Sequence, residues 1–301
     1  MTGYIDIVCN LYDPEGVRKG QTGIDEGFKR QIRMEPKLWG GVPVSQYLRK
    51  MDRAGIERSL LIAVRAGDLN VRGSFEVPYE RVAKVCARYP DRFSGLAGVD
   101  PCRGIEQLRD LDHAVNDLGF VGAHLYPHWF GLAPDHARYY PIYARCAELD
   151  IPIMMQIGHN LVYSQERRLP SVGRPIALDA VAIDFPTLKL IGIHIGVPWT
   201  EEAISMAWKH ANVYLGGDAY APKHWPDSFV HYARTYGSHK VLFGTDWPVI
   251  DPERAVREIA DLGLPAKAHG RLMRENALAV FSRLPGAKAT RSPGVARRPA
   301  G

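Results

Sequence analysis

Residues 188–199 read LKLIGIHIGVPW, and this stretch decides the fold. Its first half is a run of apolar and β-branched residues, which is typical of a strand that is buried on both faces. The run ends at a single polar residue, His194, and glycine and proline then turn the chain toward an amphipathic segment at 201–210. A buried strand, a polar strand end and a helix therefore follow one another directly, which is the building unit of a parallel α/β fold.

This unit repeats along the chain. Eight short apolar runs alternate with amphipathic segments, and such alternation predicts parallel strands because parallel neighbours need crossover connections. Eight repeats favour closure into an α/β fold of the (β/α)8 TIM-barrel type, since the glycine-rich phosphate loop of an open doubly wound sheet does not follow the first strand. The predicted strands are 4–9, 59–64, 93–99, 121–125, 153–157, 188–194, 213–215 and 240–244.

The segments between the strands have helical periodicity and residues that cap helices. Asp251 directly precedes Pro252, which suits an N-cap followed by a first-turn proline. An extra C-terminal helix is predicted at 271–284. The long segment 11–42, with a short helix at 24–33, is expected to lie over the barrel mouth. The eight connecting helices are predicted at 44–54, 79–89, 105–118, 139–149, 175–185, 201–210, 227–236 and 252–262.

The composition predicts one barrel domain, 1–284, followed by a disordered tail, 285–301, rich in proline, glycine, alanine and arginine. The tail carries four positive charges, and without them the formal charge falls from +5 to near +1, which gives no reason to expect nucleic-acid binding. No apolar run reaches the ~18–20 residues that span a bilayer, and the first twelve residues lack a signal-peptide pattern. The four cysteines are far apart and predict reduced thiols in a cytoplasmic protein.

Three polar residues lie at similar depths in different predicted strands: His124, His194 and Asp246. Active sites of TIM barrels are built at the C-terminal strand ends and the loops that follow them. A single histidine in an apolar strand is more often a satisfied core residue than a catalyst. Burying three unpaired polar groups, however, costs ~1–3 kcal/mol each. Convergence on one pocket is therefore the expected arrangement.

The run from Lys189 to Gly196, followed by Pro198-Trp199, resembles the amidohydrolase-related family. This is the branch of the amidohydrolase superfamily that contains aminocarboxymuconate-semialdehyde decarboxylase. FGTDWP at 243–248 is similar to its strand-eight motif, and ENA at 275–277 to its closing helix, so the resemblance covers roughly residues 4–284. The resemblance implies a barrel that holds one divalent metal, zinc or manganese. The implied ligands are an HxH pair on strand one, one histidine each on strands five and six, and an aspartate on strand eight.

The sequence keeps the implied ligands on strands six and eight but departs from the pattern at the other three positions. Val8 and Asn10 stand in place of the histidine pair, and Gln156 stands on strand five. Valine cannot ligate, and amide oxygens suit hard ions better than zinc. Lactonases of this superfamily are similar in working without a metal, so both a metal-free and a metal-bound site remain open. If a metal is present, its candidate ligands are His159, His194 and Asp246.

Without a metal, acid–base groups must supply the chemistry. Asp246, with His194 beside it, could act as general base toward a water that attacks a carbonyl group. His194, His159 or His124 could then donate a hydrogen bond to the developing oxyanion. Arg65, after strand two, could hold a substrate carboxylate or be an ordinary paired loop arginine. The other predicted substrate contacts are Asn10, Tyr126, Gln156 and Trp199.

These residues favour a hydrolase that cleaves a lactone, ester or amide bond in a small carboxylated substrate that is cyclic or aromatic. The alternative is a decarboxylase of an aromatic or muconate-like acid, which the resemblance implies; those decarboxylases are similar in using the metal to hold the substrate. A third interpretation is a non-catalytic barrel that binds a ligand. A small molecule is the expected partner, without nucleic acid or membrane. Because family members are often dimers, the resemblance also makes a homodimer an expectation.

Overall fold

The computed structural model describes residues 3–71, 73–160 and 169–287. Eight parallel strands form one sheet in which the order of the strands follows the chain. The sheet closes between its last and first strands through a bridge between Cys9 and Trp247 and a hydrogen bond of 3.0 Å from Asn10 N to Trp247 O. The predicted (β/α)8 barrel is confirmed. We number its strands β1 Tyr4–Asn10, β2 Ile56–Ala63, β3 Phe93–Gly98, β4 Gly122–Leu125, β5 Ile153–Gln156, β6 Leu190–Ile193, β7 Val213–Gly217 and β8 Val241–Phe243.

Amphipathic helices connect the strands and cover the outside of the barrel. The first of them buries Tyr47, Met51 and Ala54, three residues spaced to lie on one face, and ends at Gly55 in the left-handed conformation. Because helices cover the outer face and side chains fill the barrel, the strands are buried on both faces, which explains their continuous apolar runs. One such helix follows each strand, and the first seven connect it to the next: α1 Val44–Ala54, α2 Tyr79–Arg88, α3 Ile105–Asn116, α4 Tyr140–Glu148, α5 Leu178–Asp184, α6 Thr200–Lys209, α7 Asp227–Arg234 and α8 Pro252–Asp261.

Short elements complete the loops at the barrel mouth. The segment over the mouth contains the helices Pro14–Arg18 and Glu26–Gln31, whose N-caps Asp13 and Asp25 accept hydrogen bonds from the first turn. A two-stranded antiparallel hairpin, which the sequence pattern missed, pairs Arg65–Ala66 with Phe75–Glu76. The remaining short helices are Pro36–Leu38, Pro127–Phe130, Ala137–Tyr139, Pro175–Ala177 and Pro222–His224.

The C-terminal helical segment differs from the predicted single helix at 271–284. It begins five residues earlier, at Ala266–Gly270 after Pro265, continues through a π-helical turn at Arg271–Glu275 and ends with Asn276–Val280. The predicted disordered tail, 285–301, lies outside the described residues from 288 onward. Within the described ranges, no helix has the length and apolar character needed to cross a membrane.

Candidate active site

A cavity of about 210 Å³ opens at the C-terminal ends of the barrel strands. Four of its lining residues lie at or just after strand ends: Asn10 on β1, Gln156 on β5, His194 after β6 and Asp246 after β8. Parallel strands in a closed barrel all end at the same mouth, and the end of each strand therefore aims its side chain at this space. The structure thus brings together these four sequence-predicted site residues.

Aromatic side chains form much of the remaining wall. Tyr126 and Trp129 follow β4, and Phe75 comes from the hairpin and meets Trp129 edge to face with ring centroids 5.5 Å apart. The segment over the mouth closes the cavity with Phe28 and packs on Phe75 at Gly23, where an added Cβ would approach the ring to 2.2 Å. The expected position of segment 11–42 over the mouth is confirmed. Such a wall suits a flat ring.

Asp246 is a nearly buried carboxyl group at this mouth, with 15% of its side chain exposed. Asn10 Nδ2 donates a hydrogen bond of 2.9 Å to Asp246 Oδ1 and another of 2.9 Å to Trp247 O. Burial raises the pKa of Asp246 to about 7, with the hydrogen bond from Asn10 opposing and the charge of Asp6 reinforcing the shift. The group therefore exchanges a proton near neutral pH.

His194 lies beside Asp246, with Nε2 3.8 Å from Asp246 Oδ2. Strand β6 was predicted to include His194 but ends one residue earlier, because the backbone turns left-handed at His194 (φ 70°) and Ile195 (φ 61°). Non-glycine residues adopt this conformation at a cost of roughly 1–2 kcal/mol each, and it is concentrated at functional sites. Burial lowers the pKa of His194 to about 3, with a smaller effect from His128, so the imidazole is neutral.

Two buried aspartates next to these groups were missed by the sequence analysis. Asp218 Oδ1 accepts the backbone N–H of His194 at 2.9 Å, and burial raises the pKa of Asp218 well above its usual range. Asp6 accepts hydrogen bonds from Thr245 N at 3.0 Å and Thr245 Oγ1 at 2.7 Å, and burial raises its pKa to about 7. The missed signals were an aspartate inside the first apolar run and the GGD sequence at 216–218, beyond the predicted end of strand seven.

Arg65 does not line this cavity, which corrects its predicted role as an anchor for a substrate carboxylate. Its Nη1 donates to Gln107 Oε1 at 2.7 Å and to Asp110 Oδ2 at 2.9 Å, and its guanidinium lies 4.4 Å from the centre of the Tyr79 ring. All three partners hold the arginine in place among β2, α2 and α3. The alternative interpretation, a paired loop arginine, describes its surroundings.

His124 and Trp199 also lie off the described lining of the cavity. His124 is fully buried, 4.3 Å from Tyr126 between ring centroids, and neither ring nitrogen has a hydrogen-bond partner among the described residues. Burial and the nearby His194 lower the pKa of His124 to about 3. Trp199 instead packs against Arg174, whose guanidinium carbon lies 5.5 Å from the centre of the Trp199 ring. The structure therefore does not place these two side chains with the other predicted substrate contacts.

His159 follows β5 in the loop at the mouth, but its ring is turned to a neighbouring side chain. Its Nε2 forms a hydrogen bond of 2.9 Å with the hydroxyl of Tyr220, and its backbone N–H donates to Val197 O at 2.8 Å. Asn160, the next residue, lines the cavity, whereas the ring of His159 is absent from the described lining. The structure therefore does not bring His159 together with His194 and Asp246.

His194 and Asp246 keep two of the five metal-ligand positions that the family resemblance implies, but the two positions on strand one do not fit a divalent ion. Val8 is apolar and packs against Gly244, while Asn10 turns its amide nitrogen, not its oxygen, toward Asp246. Residues 3–71, 73–160 and 169–287 contain no group of three or more histidine, cysteine, aspartate or glutamate side chains placed to hold a metal ion. Catalytic zinc sites normally use three such ligands.

Comparison with known proteins finds relatives that share this architecture. The amidohydrolase family profile matches residues 44–283. A gamma-resorcylate decarboxylase from Rhodococcus jostii is 24% identical over 278 residues, which cover 75% of this chain and 78% of that protein.

Solved structures agree with this assignment of the fold. An uncharacterised TIM-barrel protein from Bordetella bronchiseptica has a TM-score of 0.77 at 24% identity, and the match covers 93% of this chain and 98% of that one. A dihydroxybenzoic acid decarboxylase from Polaromonas sp. JS666, solved with manganese and the inhibitor 2-nitroresorcinol, has a TM-score of 0.67 at 22% identity, with 94% and 97% covered. Because the family profile spans most of the barrel, the chain belongs to the amidohydrolase family of enzymes.

Proposed function

We propose that the chain is a carboxy-lyase that removes CO2 from a small aromatic or unsaturated acid, with Asp246 as the proton donor. The observation that carries this proposal is the placement of Asp246 at the aromatic-lined cavity. One of its oxygens is held by Asn10, and the other faces His194. The decarboxylases among the relatives of this chain support decarboxylation in preference to hydrolysis. Hydrolysis, which the sequence favoured, becomes the second candidate.

The reaction needs a proton donor rather than a nucleophile. A proton is delivered to the ring carbon that bears the carboxylate, the bond from that carbon to the carboxylate breaks, and its electron pair restores the ring as CO2 leaves. A carboxyl group whose pKa lies near the working pH is suited to such a transfer. Asp246, with its pKa raised to about 7, meets this requirement and is left as a carboxylate that solvent reprotonates.

The cavity supplies contacts for both parts of such a substrate. Tyr126 and Phe75 offer ring faces and edges to a flat molecule, and the amide of Gln156 can donate to a hydroxyl or carboxylate oxygen. We propose that this chain works without the manganese that its structural neighbours bind. Val8 has no donor atom, Asn10 turns its amide nitrogen toward Asp246, and the described residues contain no group of three or more histidine, cysteine, aspartate or glutamate side chains placed to hold the ion.

Hydrolysis of a lactone or ester is supported by the same pair of residues in another protonation state. Asp246 as a carboxylate, 3.8 Å from the imidazole of His194, could take a proton from an attacking water. The two candidates thus differ in whether Asp246 starts the reaction protonated.

The four free cysteines of the protein fit a reducing compartment. A cytoplasmic location and a homodimer stay predictions.

A paired substrate screen tests the proposal. The purified chain is incubated with hydroxybenzoates and muconate-like acids, and with lactones and esters of similar size, while released CO2 and cleaved ester bonds are measured separately. We expect CO2 release that is lost in Asp246→Asn and kept in Asp179→Asn, a change at an aspartate that pairs with His210 outside the cavity. Ester or lactone cleavage that depends on Asp246, without CO2 release from any acid, would replace the lyase with the hydrolase.

A further inference from the structure

Asp218 is a fully buried carboxyl group that contacts His194 twice. Its Oδ1 accepts the backbone N–H of His194 at 2.9 Å, and its Oδ2 lies 3.4 Å from the ring Nε2. In the part of the chain that the structure describes, Asp218 Oδ2 and His194 Nε2 are both buried without a hydrogen-bond partner, and they face each other. One side chain therefore restrains both the backbone and the ring of the same histidine.

Two neighbouring glycines leave room for the Asp218 side chain. A Cβ added at Gly216, near the end of β7, would approach Asp218 Oδ1 to 2.9 Å, and a Cβ at Gly244, after β8, would approach Asp218 Cβ to 2.9 Å. Burying a carboxyl group is costly, and apolar side chains of similar volume often replace a buried ionic group together with its partner without loss of stability. Stability alone therefore does not explain an aspartate at this position.

We infer that Asp218 is a positioning residue that holds His194 in the conformation in which its ring meets the cavity and Asp246. His194 and Ile195 are both left-handed, a conformation that persists only where the surroundings hold it. The hydrogen bond from His194 N–H to Asp218 supplies one such restraint, and the contact of Oδ2 with Nε2 restrains the ring. The effect on turnover rests on the proposed lyase function, in which His194 lines the cavity beside Asp246.

Substitutions at Asp218 separate positioning from a purely structural role. Asp218→Ala removes both contacts, and we expect kcat to fall about 100-fold with KM within about threefold, because misplacing a group at the reacting centre by ~1 Å has an effect of this size. Asp218→Asn keeps an oxygen for His194 N–H and a polar atom toward Nε2, and kcat should stay within about fivefold of wild type. Asp218→Leu keeps the side-chain shape and replaces the alanine variant if that protein does not fold.

The matched control is Asp179→Ala. It removes the carboxyl group from another histidine–aspartate pair, in which Asp179 Oδ1 lies 2.6 Å from His210 Nε2 on the outside of the barrel. Turnover should not change in this variant. Equal losses of kcat in Asp218→Asn and Asp218→Ala, at melting temperatures equal to that of the wild type, would overturn the positioning role.

A measurement without substrate tests the inference independently of the proposed reaction. Two-bond 1H–15N correlation spectra of protein with 15N-labelled histidine report the ring nitrogens of each residue. We expect the His194 ring signals to shift in Asp218→Ala or Asp218→Leu, and only those of His210 to shift in Asp179→Ala. Unchanged His194 signals in the Asp218 variants would overturn the inference. If these signals shift as expected but no acid loses CO2, the positioning role stands and only the proposed lyase function fails.

Discussion

Replacing Asp246 by asparagine should lower turnover while raising stability. The amide oxygen of the new side chain can still accept the hydrogen bond from Asn10, but no acidic proton remains. Loss of a positioned proton donor lowers kcat by roughly 10²–10⁴-fold. The folded pKa of about 7 stands about 3 units above the ordinary value, so the ionised, buried carboxyl group destabilises the wild type by at most about 4 kcal/mol at pH 8.

The stability gain has a definite dependence on pH. Because the pKa of Asp246 is raised in the folded state, the folded protein binds more protons than the unfolded chain between about pH 4 and pH 7. The wild type therefore loses stability as the pH rises through this window, and the advantage of Asp246→Asn should fall from about 4 kcal/mol at pH 8 to under about 2 kcal/mol at pH 5. Urea unfolding at the two pH values measures both figures.

Asp251→Ala is the control for this prediction. Asp251 caps α8 by accepting hydrogen bonds from Glu253 N and Arg254 N, and its loss should cost about 1 kcal/mol of stability at unchanged turnover. If Asp246→Asn behaves like this control, with normal turnover and reduced stability, then Asp246 only stabilises the turn after β8. The proposed role of Asp246 as proton donor is then refuted.

Three further predictions follow from the same geometry. Purified protein should contain well under one equivalent of zinc or manganese, and its activity should survive chelator treatment; a stoichiometric metal bound at His194 and Asp246 would contradict this. Tyr126→Ala should lower kcat/KM at least about tenfold, whereas Trp199→Ala should leave it within about twofold, since only Tyr126 lines the cavity. Gly23→Ala should lower the free energy of unfolding by about 1–2 kcal/mol and raise KM, because φ is +62° there and the new Cβ would strike the Phe75 ring.

The barrel could be predicted from the sequence because each strand is marked by a local run of apolar residues. The run ending at His194 is apolar on both faces, which is typical of a strand covered on both sides. The site was predictable where a polar residue ends such a run, as at Asn10, Gln156 and Asp246. Periodicity does not show where a strand ends in a turn: it extended strand six through His194, where the backbone is left-handed and its N–H donates to Asp218 from the loop after β7.

The remaining errors concern partners that are distant in sequence. The sequence does not show that helix α3 places Gln107 and Asp110 beside the Arg65 guanidinium, and this is why Arg65 was predicted to anchor a substrate carboxylate. Asp218 was missed because the predicted strand seven stopped at residue 215, although β7 runs to Gly217 and its end carries the aspartate. Tertiary packing sets which side of a loop faces the cavity, and this is why the sequence did not show that Trp199 packs against Arg174.

The pH dependence of kcat/KM tests the central claim, that Asp246 acts as a proton donor. In a carboxy-lyase the active form carries the proton on Asp246, so kcat/KM should be level below pH 7 and fall about tenfold per pH unit above it, following the pKa of about 7. Asp246→Asn should remove this limb together with most of the activity. A rate that instead rises through pH 7 to a plateau would show that the ionised form of Asp246 is the active one, and would contradict the account.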